Sequence, residues 1–502
     1  MINYRYDLRD MDYSDAAEII FKDVGHEPEW FEISEDDLLP YETMDNIDKA
    51  YQIVSDAVRE NKRIMVHADC DADGVSAGTI MYQYLKNYTS DVDIMINDGK
   101  AHGLASVENI WCDLLIVTDS MNEAEVYERF NHPDIVVLDH HIPSPNLPEN
   151  VTLVSAMNSK NPNLSGSGVV WKFCKYYDLM ELNDYADDLV DLATVGIIGD
   201  MMNMSVRENR YICSLGLNHI VNPGIKKIVG GYDFTAKTVS FSVAPLINAC
   251  NRLHQNKLAL DFFNTDDKKT INSMYKELKA IKEEQDSVID KFDEDTLNIH
   301  DKFIYTFSDE KDLSGVLANK IAGKHHKPTL VLREIDGVIY GSMRGFGTEN
   351  FAALLESTGL CQCFGHENSA GVEINQSGFD EFITKLDEVM KDVSLVETTD
   401  ADYLIDYRQI PQFIDLSKYI NKISGTGFKS ITFVVETDEF EYATMKDGLH
   451  MKLMLEDNIN LIKWKDSTLP GKKIRACGSL ESSWFGRTFT KNMIIDKIEV
   501  AE

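Results

Sequence analysis

The stretch Ile64-Met65-Val66-His67-Ala68-Asp69-Cys70-Asp71-Ala72-Asp73-Gly74 decides how the rest of the chain reads. It is an apolar run that empties into one imidazole and three carboxylates. Alternate positions 67, 69, 71 and 73 are all acid or imidazole, and alternate side chains of an extended segment point the same way. A loop at the end of a strand can therefore aim several of them at one point. Like charges that close repel unless a cation sits between them. Carboxylate oxygens mixed with imidazole suit Mn, Mg or Zn. A solvated acidic turn is the plain alternative. It loses ground because groups of the same kind end two later strands.

Asp113-Leu-Leu-Ile-Val-Thr-Asp119 is an apolar run ending in an acid, and Asp134-Ile-Val-Val-Leu-Asp139-His140-His141 is another ending in Asp-His-His. The runs are continuous rather than alternating, as in parallel strands covered on both faces. Helices are expected over residues 47–60, 77–87 and 123–129, and a strand over 91–96. The region thus reads as α/β with a parallel sheet, and three strands end in metal-type residues where open α/β sheets place ligands. His67, Asp69, Asp71, Asp73, Asp119, Asp139, His140, His141 and, farther on, Asp200 are enough to hold two ions. Two ions a few Å apart can clamp the attacking and leaving oxygens of a phosphoryl centre. Hard oxygens with a minority of imidazole point to Mn²⁺ first, then Mg²⁺. Singly, each residue has a structural alternative: Asp139 as the cap of a turn, one of His140 and His141 packed under the sheet.

The 502 residues carry a net charge of −35. That argues against a broad nucleic-acid-binding surface, which needs basic patches, but leaves room for a local basic groove or for metal ions bridging to a polyanion. Residues 1–50 alone hold 15 acidic against 4 basic residues and read as a solvated skirt, with an interaction surface as the alternative. There is no apolar run long enough to span a membrane and no signal-peptide core at the N-terminus. The eight cysteines are scattered, only Cys361 and Cys363 being close, so a reduced, cytoplasmic protein is expected.

After Pro148 the chain is expected to turn helical, over residues 169–177 and 185–199. Residues 261–297 are polar and helix-rich, as in a solvated connecting helix. Strand–helix alternation resumes from Phe303. After about residue 400 come six short β-type runs, the texture of a small barrel or sandwich. The expected division is an acidic segment over 1–45, a catalytic α/β domain over 46–260, a connecting helix over 261–297, a smaller α/β domain over 298–398 and a β domain over 399–502.

His67-x3-Asp71-x-Asp73, strand-terminal Asp119 and Asp139-His140-His141 resemble the DHH phosphoesterase superfamily. Along nearly its whole length the chain is similar to RecJ-type single-strand-specific exonucleases. Ser165-Gly-Ser-Gly-Val169, Thr194-Val-Gly-Ile-Ile-Gly-Asp200 with Glu208-Asn209-Arg210, and Pro245-Leu-Ile-Asn-Ala-Cys-Asn-Arg252-Leu match its ordered motifs. Gly315-Val-Leu-Ala-Asn319, Gly341-Ser342-Met-Arg344 and Gly365-His366 with Gly371 resemble its DHHA1 domain, and the β region with His450-Met-Lys-Leu resembles its OB-fold.

The resemblance implies that His67, Asp71 and Asp119 hold one Mn²⁺, and that Asp73, Asp119, His140 and Asp200 hold the other. Asp139 would orient an imidazole, and His141 would contact the scissile phosphate. Asp69 is ligand or supporting acid. Ser342 and Arg344 would grip a 5′-phosphate, or Arg344 forms a surface ion pair. His366 and Arg252 would touch the nucleic-acid backbone, with a tight turn and a buried ion pair as their alternatives. Asn209, Arg210 and Lys100 complete the implied substrate set. Trp484, Phe485 and Phe489 stack bases or pack inside the barrel. Two departures stand out. Phe364-Gly365-His366 replaces the usual Gly-Gly-His, and the loop Ile96-Asn97-Asp98-Gly99-Lys100-Ala-His102-Gly103-Leu104 lacks an expected Arg, for which Lys100 or His102 would have to substitute.

The implied activity is a Mn²⁺-dependent, 5′-to-3′ exonuclease degrading single-stranded DNA to mononucleotides. Its implied partners are single-stranded DNA and a single-strand-binding protein or helicase, with no membrane, and the chain is expected to be a monomer. Two rivals stand beside it. One is a DHH phosphodiesterase for short oligonucleotides or cyclic dinucleotides, which the acidity favours. The other is a catalytically silent scaffold of a replication complex, against which the full ligand set argues.

Overall fold

The computed structural model describes residues 2–99, 102–130, 134–231, 233–395, 401–485 and 488–501. Lys100 lies outside the described residues, as do the side chains of Trp484 and Phe485. The chain divides into two units, one of Met1–Asn248, Asn256–Tyr275 and Thr399–Glu502, the other of Ala249–Gln255 and Lys276–Thr398.

The N-terminal segment is not a solvated skirt. Strand β1, Tyr4–Asp7, pairs in parallel with residues 401–404, placing Tyr4 opposite Ala401 and Tyr6 opposite Tyr403. The helix Tyr13–Val24 buries Ala16 and Ile20, and Ile2 and Leu8 are buried as well. Its acids are partly used internally: Arg5 joins Asp23 and Asp402.

The first unit contains a five-stranded parallel sheet of β2 Ile64–Ala68, β3 Val92–Ile96, β4 Leu114–Thr118, β5 Asp134–Asp139 and β6 Val151–Ser155, in the order β3-β2-β4-β5-β6. Every residue of β4 and β6 is buried, which is why these strands read as unbroken apolar runs. β6 corrects the expectation of helix after Pro148; Val151-Thr-Leu-Val-Ser155 is a β-branched run that supplies the sheet's last strand. The helix Ala72–Leu85 starts earlier than its apolar spacing implies, because Asp71 caps it.

In the second unit, β7 Asn298–Ile299, β8 Ile304–Phe307, β9 Thr329–Ile335, β10 Val338–Arg344, β11 Cys361–His366 and β12 Ser369–Asn375 form a sheet ordered β11-β12-β10-β9-β8-β7. Phe303, Leu330, Met343, Phe351 and Phe382 are central to its core. Within the stretch expected as a connecting helix over 261–297, one 23-residue helix runs Lys268–Asp290, after the separate helix Asn256–Phe263.

The terminal strands belong to a larger arrangement than the sequence implied. β13 Ala401–Ile405, β14 Phe433–Thr437, β15 Glu441–Met445, β16 His450–Met454, β17 Ile459–Lys463, β18 Ile474–Phe485 and β19 Thr488–Val500 join β1 in one eight-stranded mixed sheet, ordered β1-β13-β14-β18-β19-β17-β16-β15. Among the described residues no helix is long and apolar enough to cross a membrane, and all eight cysteines are free.

Candidate metal centre

Because β2, β4 and β5 are neighbours, their C-terminal ends bring the three polar stretches together. β2 delivers the loop from Asp69 to Asp73, β4 delivers Asp119 and β5 delivers Asp139, His140 and His141. Asp200 follows the helix Val190–Gly199. Ligand atoms of Asp119, Asp139, His140 and His141 lie within 4.8 Å of one another. The same holds for Asp73, His140 and Asp200, and for Asp69, Asp71 and Asp119. His140 Nε2 is 3.2 Å from Asp119 and 3.6 Å from Asp200.

Local chemistry fixes each acid. Asp71 Oδ1 accepts from the backbone N–H of Asp73 at 2.9 Å and of Gly74 at 3.0 Å, so one of its oxygens is committed to capping. Asp73 is held by the N-terminus of the helix Gly166–Glu181, accepting from Ser165 Oγ at 2.9 Å, Gly166 N at 2.8 Å and Ser167 N at 3.1 Å. A helix N-terminus favours an anion, which explains why an acid can be buried there. No larger residue fits: a Cβ at Gly166 would overlap the Asp119 carboxylate, and one at Gly196 would overlap Asp73 and Ser167. Asp119 adopts φ +57°, an uncommon conformation for a non-glycine residue, at the turn that brings it to the cluster.

The charges within this pocket oppose one another. Burial, then the charges of Asp73 and Asp71, push Asp119 well above the ordinary carboxylate range. The same causes, in the same order, raise Asp200 to about 8. Burial, then Asp69 and Asp73, raise Asp71 to about 6. Asp139 goes the other way: burial would raise it, but the hydrogen bond from His141 and the nearby imidazole charges lower it. His141 in turn is raised to about 9 by that hydrogen bond. His67 is fully buried, its pKa lowered by burial.

Buried polar atoms ordinarily find partners. Here both ring nitrogens of His67, Asp119 Oδ1, Asp139 Oδ2 and Asp200 Oδ2 make no hydrogen bond. Orphaned oxygens and imidazole nitrogens concentrated among mutually repelling acids are a donor set that fits a divalent cation. His67 belongs to the orphaned set but to none of the three convergent groups.

Asn209 and Arg210 correct the sequence reading. Asn209 is buried, donates to the carbonyls of Asn163 and Asn203, and accepts from Asn161. Arg210 is buried against Trp30, Phe31 and Phe428 and donates to the carbonyls of Met204 and Ile423. Both brace the loop that follows Asp200, and neither is exposed to a substrate. In the second unit, Ser342 Oγ lies 2.8 Å from Ser314 Oγ. Arg344 is not in a surface ion pair: it donates to the Met343 carbonyl and lies against Gly315, and burial lowers its pKa. Arg252 donates to Gln285 at 3.1 Å, and His366 is exposed at the end of β11.

Sequence reasoning missed three supports. Ser165 and Ser167 anchor Asp73. Asn248 accepts from Ala72 N at 2.9 Å and so braces the acidic loop. His102 Nδ1 bonds Asp69 at 2.8 Å. The signal for the first was the Gly-Ser-Gly-Val helix start; for the other two no local signal exists.

A model of the DHH family's N-terminal domain matches residues 63–197. The SPbeta-prophage protein YorK of Bacillus subtilis, named as a putative single-strand DNA-specific exonuclease, is 27% identical over 445 residues, covering 78% of this chain and 77% of the relative. The single-stranded-DNA-specific exonuclease RecJ of Bacillus subtilis is 26% identical over 512 residues, covering 91% of this chain and 64% of RecJ. Residues 63–197 thus match a DHH domain, and the chain as a whole is similar to RecJ-type exonucleases. The fold agrees: the crystal structure of RecJ with Mn²⁺ from Thermus thermophilus superposes with a TM-score of 0.75 at 21% identity, covering 97% of this chain and 76% of that one.

Proposed function

We propose that this RecJ-type chain is a divalent-metal-dependent exonuclease that hydrolyses phosphodiester bonds of single-stranded DNA from the 5′ end to mononucleotides. The observation that carries the reading is the convergence of Asp69, Asp71, Asp119, Asp139, His140 and His141 at the ends of β2, β4 and β5, with orphaned buried oxygens on Asp119 and Asp139. His67, Asp71 and Asp119 would hold one cation, and Asp73, Asp119, His140 and Asp200 the other. Asp119 is suited to sharing because it belongs to two of the convergent groups. Mn²⁺ is the first expectation and Mg²⁺ the second. The chemistry two such ions supply when bound is activation of water and neutralisation of charge on the phosphoryl oxygens.

The protein's own side chains do the rest. Asp139 holds Nδ1 of His141, which keeps that imidazole charged and aimed outward to donate to the scissile phosphate. Ser165 and the N-terminus of its helix hold the Asp73 carboxylate in place through hydrogen bonds to both of its oxygens. Arg344 and Ser342 would take the 5′-phosphate, while Arg252 and His366 would meet the backbone. The chain would act on single-stranded DNA beside a single-strand-binding protein or helicase, as a monomer. A second reading, a phosphodiesterase for short oligonucleotides or cyclic dinucleotides, is favoured by the net charge of −35.

The test is digestion of end-labelled single-stranded and duplex DNA and of a dinucleotide, with Mn²⁺ or Mg²⁺, by the full chain and by Asp119→Ala. Mononucleotides should appear from the 5′ end of the single strand, and the substitution should cost about a thousandfold, or several kcal/mol of charge stabilisation. Cleavage of the dinucleotide alone supports the second reading. Undiminished activity in Asp119→Ala would remove the metal assignment.

A further inference from the structure

The cluster is flanked by two carboxylate–imidazole pairs built alike. Asp139, with its side chain fully buried, bonds Nδ1 of His141 at 2.9 Å, and the His141 side chain is 53% exposed. Asp69, 2% exposed, bonds Nδ1 of His102 at 2.8 Å, and the His102 side chain is 65% exposed. In each pair a buried acid fixes the ring through Nδ1, which leaves Nε2 for something outside. Both pairs adjoin Asp119: ligand atoms of Asp139 and His141 lie within 4.8 Å of Asp119, and so does a ligand atom of Asp69.

Asp119, Asp139 and Asp200 each keep an orphaned oxygen, whereas both oxygens of Asp69, like those of Asp73, are engaged. Asp69 Oδ2 takes His102, and Asp69 Oδ1 lies 3.4 Å from the Gly103 amide. Described residues on either side of His102 are pinned. Asn97 donates to the Gly103 carbonyl at 2.5 Å, Leu104 N donates to Asn122 at 2.8 Å, and Asn256 donates to the Asn97 and Gly99 carbonyls, each at 2.6 Å. Gly103 has φ +59°, and a Cβ there would overlap Asn122. An exposed imidazole that packed against nothing would need neither a buried acid behind it nor pinned residues on either side.

We propose that His102, presented by Asp69, is a second imidazole that donates through Nε2 to a phosphate oxygen of the substrate, paired with His141 across the metal cluster. Asp69 is then a positioning residue, not a metal ligand. The inference rests on the phosphodiester hydrolysis argued above, since a phosphate is the ligand that two outward imidazoles beside a cation site would grip. The competing assignment is that Asp69, Cys70 and His102, whose ligand atoms also lie within 4.8 Å of one another, hold an ion themselves.

The experiment compares the full chain with His102→Ala, Asp69→Asn and the double variant, reading kcat and KM on single-stranded DNA and, separately, Mn²⁺ binding without DNA. His102→Ala should lower kcat/KM roughly ten- to hundredfold, the range for a lost hydrogen bond to a charged group, and leave Mn²⁺ stoichiometry and affinity as in the parent. Asp69→Asn should lose as much, and the double variant no more than Asp69→Asn alone, because both remove one contact. An unchanged kcat/KM in His102→Ala overturns the inference, as does weakened Mn²⁺ binding in that variant. A parent chain inert on every phosphodiester defeats the exonuclease reading instead.

Discussion

At the scale of single residues, the site is set by atoms that lack partners and by glycines that leave room for them. Asp119 reaches the cluster through a left-handed backbone conformation, and Gly166 and Gly196 let two carboxylates lie against helices with nothing between. Gly196→Ala should therefore push Asp73 and Ser167 apart. The expected outcome is a loss of about 1–3 kcal/mol in stability, the usual cost of forcing extra volume into a packed interior, together with weakened Mn²⁺ binding. Denaturant unfolding and metal titration of the variant check both; Mn²⁺ binding as tight as in the parent would contradict the packing described. Most ligand candidates are legible in the sequence because each stands at the end of an apolar run. The bond between Asp69 and His102 is not, since it joins residues 33 apart across a stretch that carries no periodic signal. Asn209 and Arg210 mislead for the opposite reason: polar residues beside a metal-type acid look like substrate contacts, and only burial shows that they brace the loop after Asp200.

At the scale of elements, the sheet positions the acids and helix termini hold them. The helix Gly166–Glu181 does this for Asp73 and is itself fastened to the helix Arg207–Asn218 by Lys172 and Glu208, 2.6 Å apart and nearly inaccessible. Glu208 also accepts from Leu39 N and Asn161, so its charge is fully built in. Lys172→Met would strand that carboxylate. Such a loss costs about 3–5 kcal/mol, measured as a shift in denaturant unfolding; a cost below about 1 kcal/mol would mean that the other donors suffice. The parallel strands are legible because burial on both faces demands continuous apolar residues. β6 and β1 are not. β6 follows a proline-containing loop, and its five residues are too few to separate strand from helix by period. β1 is Tyr-Arg-Tyr-Asp, and it finds its partner about 400 residues away.

At the scale of the whole molecule, the acidic chain is organised so that its charge is spent internally as well as shown to solvent. Within the first unit, Arg210 stacks on Trp30 from the N-terminal segment and Phe428 from the C-terminal region, and β1 ties the chain's beginning to β13 near its end. A segment that composition marks as a solvated tail thus becomes the seam between the catalytic sheet's helices and the terminal sheet. Arg252 belongs to the same unit as Ser342, Arg344 and His366, and the metal-type acids belong to the other. The central claim is that the acids at the strand ends form a divalent-cation site. The most direct measurement is Mn²⁺ binding to the full chain, read by electron paramagnetic resonance or calorimetry, beside Asp119→Asn. Two Mn²⁺ per chain are expected, with the loss of at least one on substitution of Asp119. A parent chain that binds no Mn²⁺, or an Asp119→Asn variant that binds both ions as tightly, would contradict it.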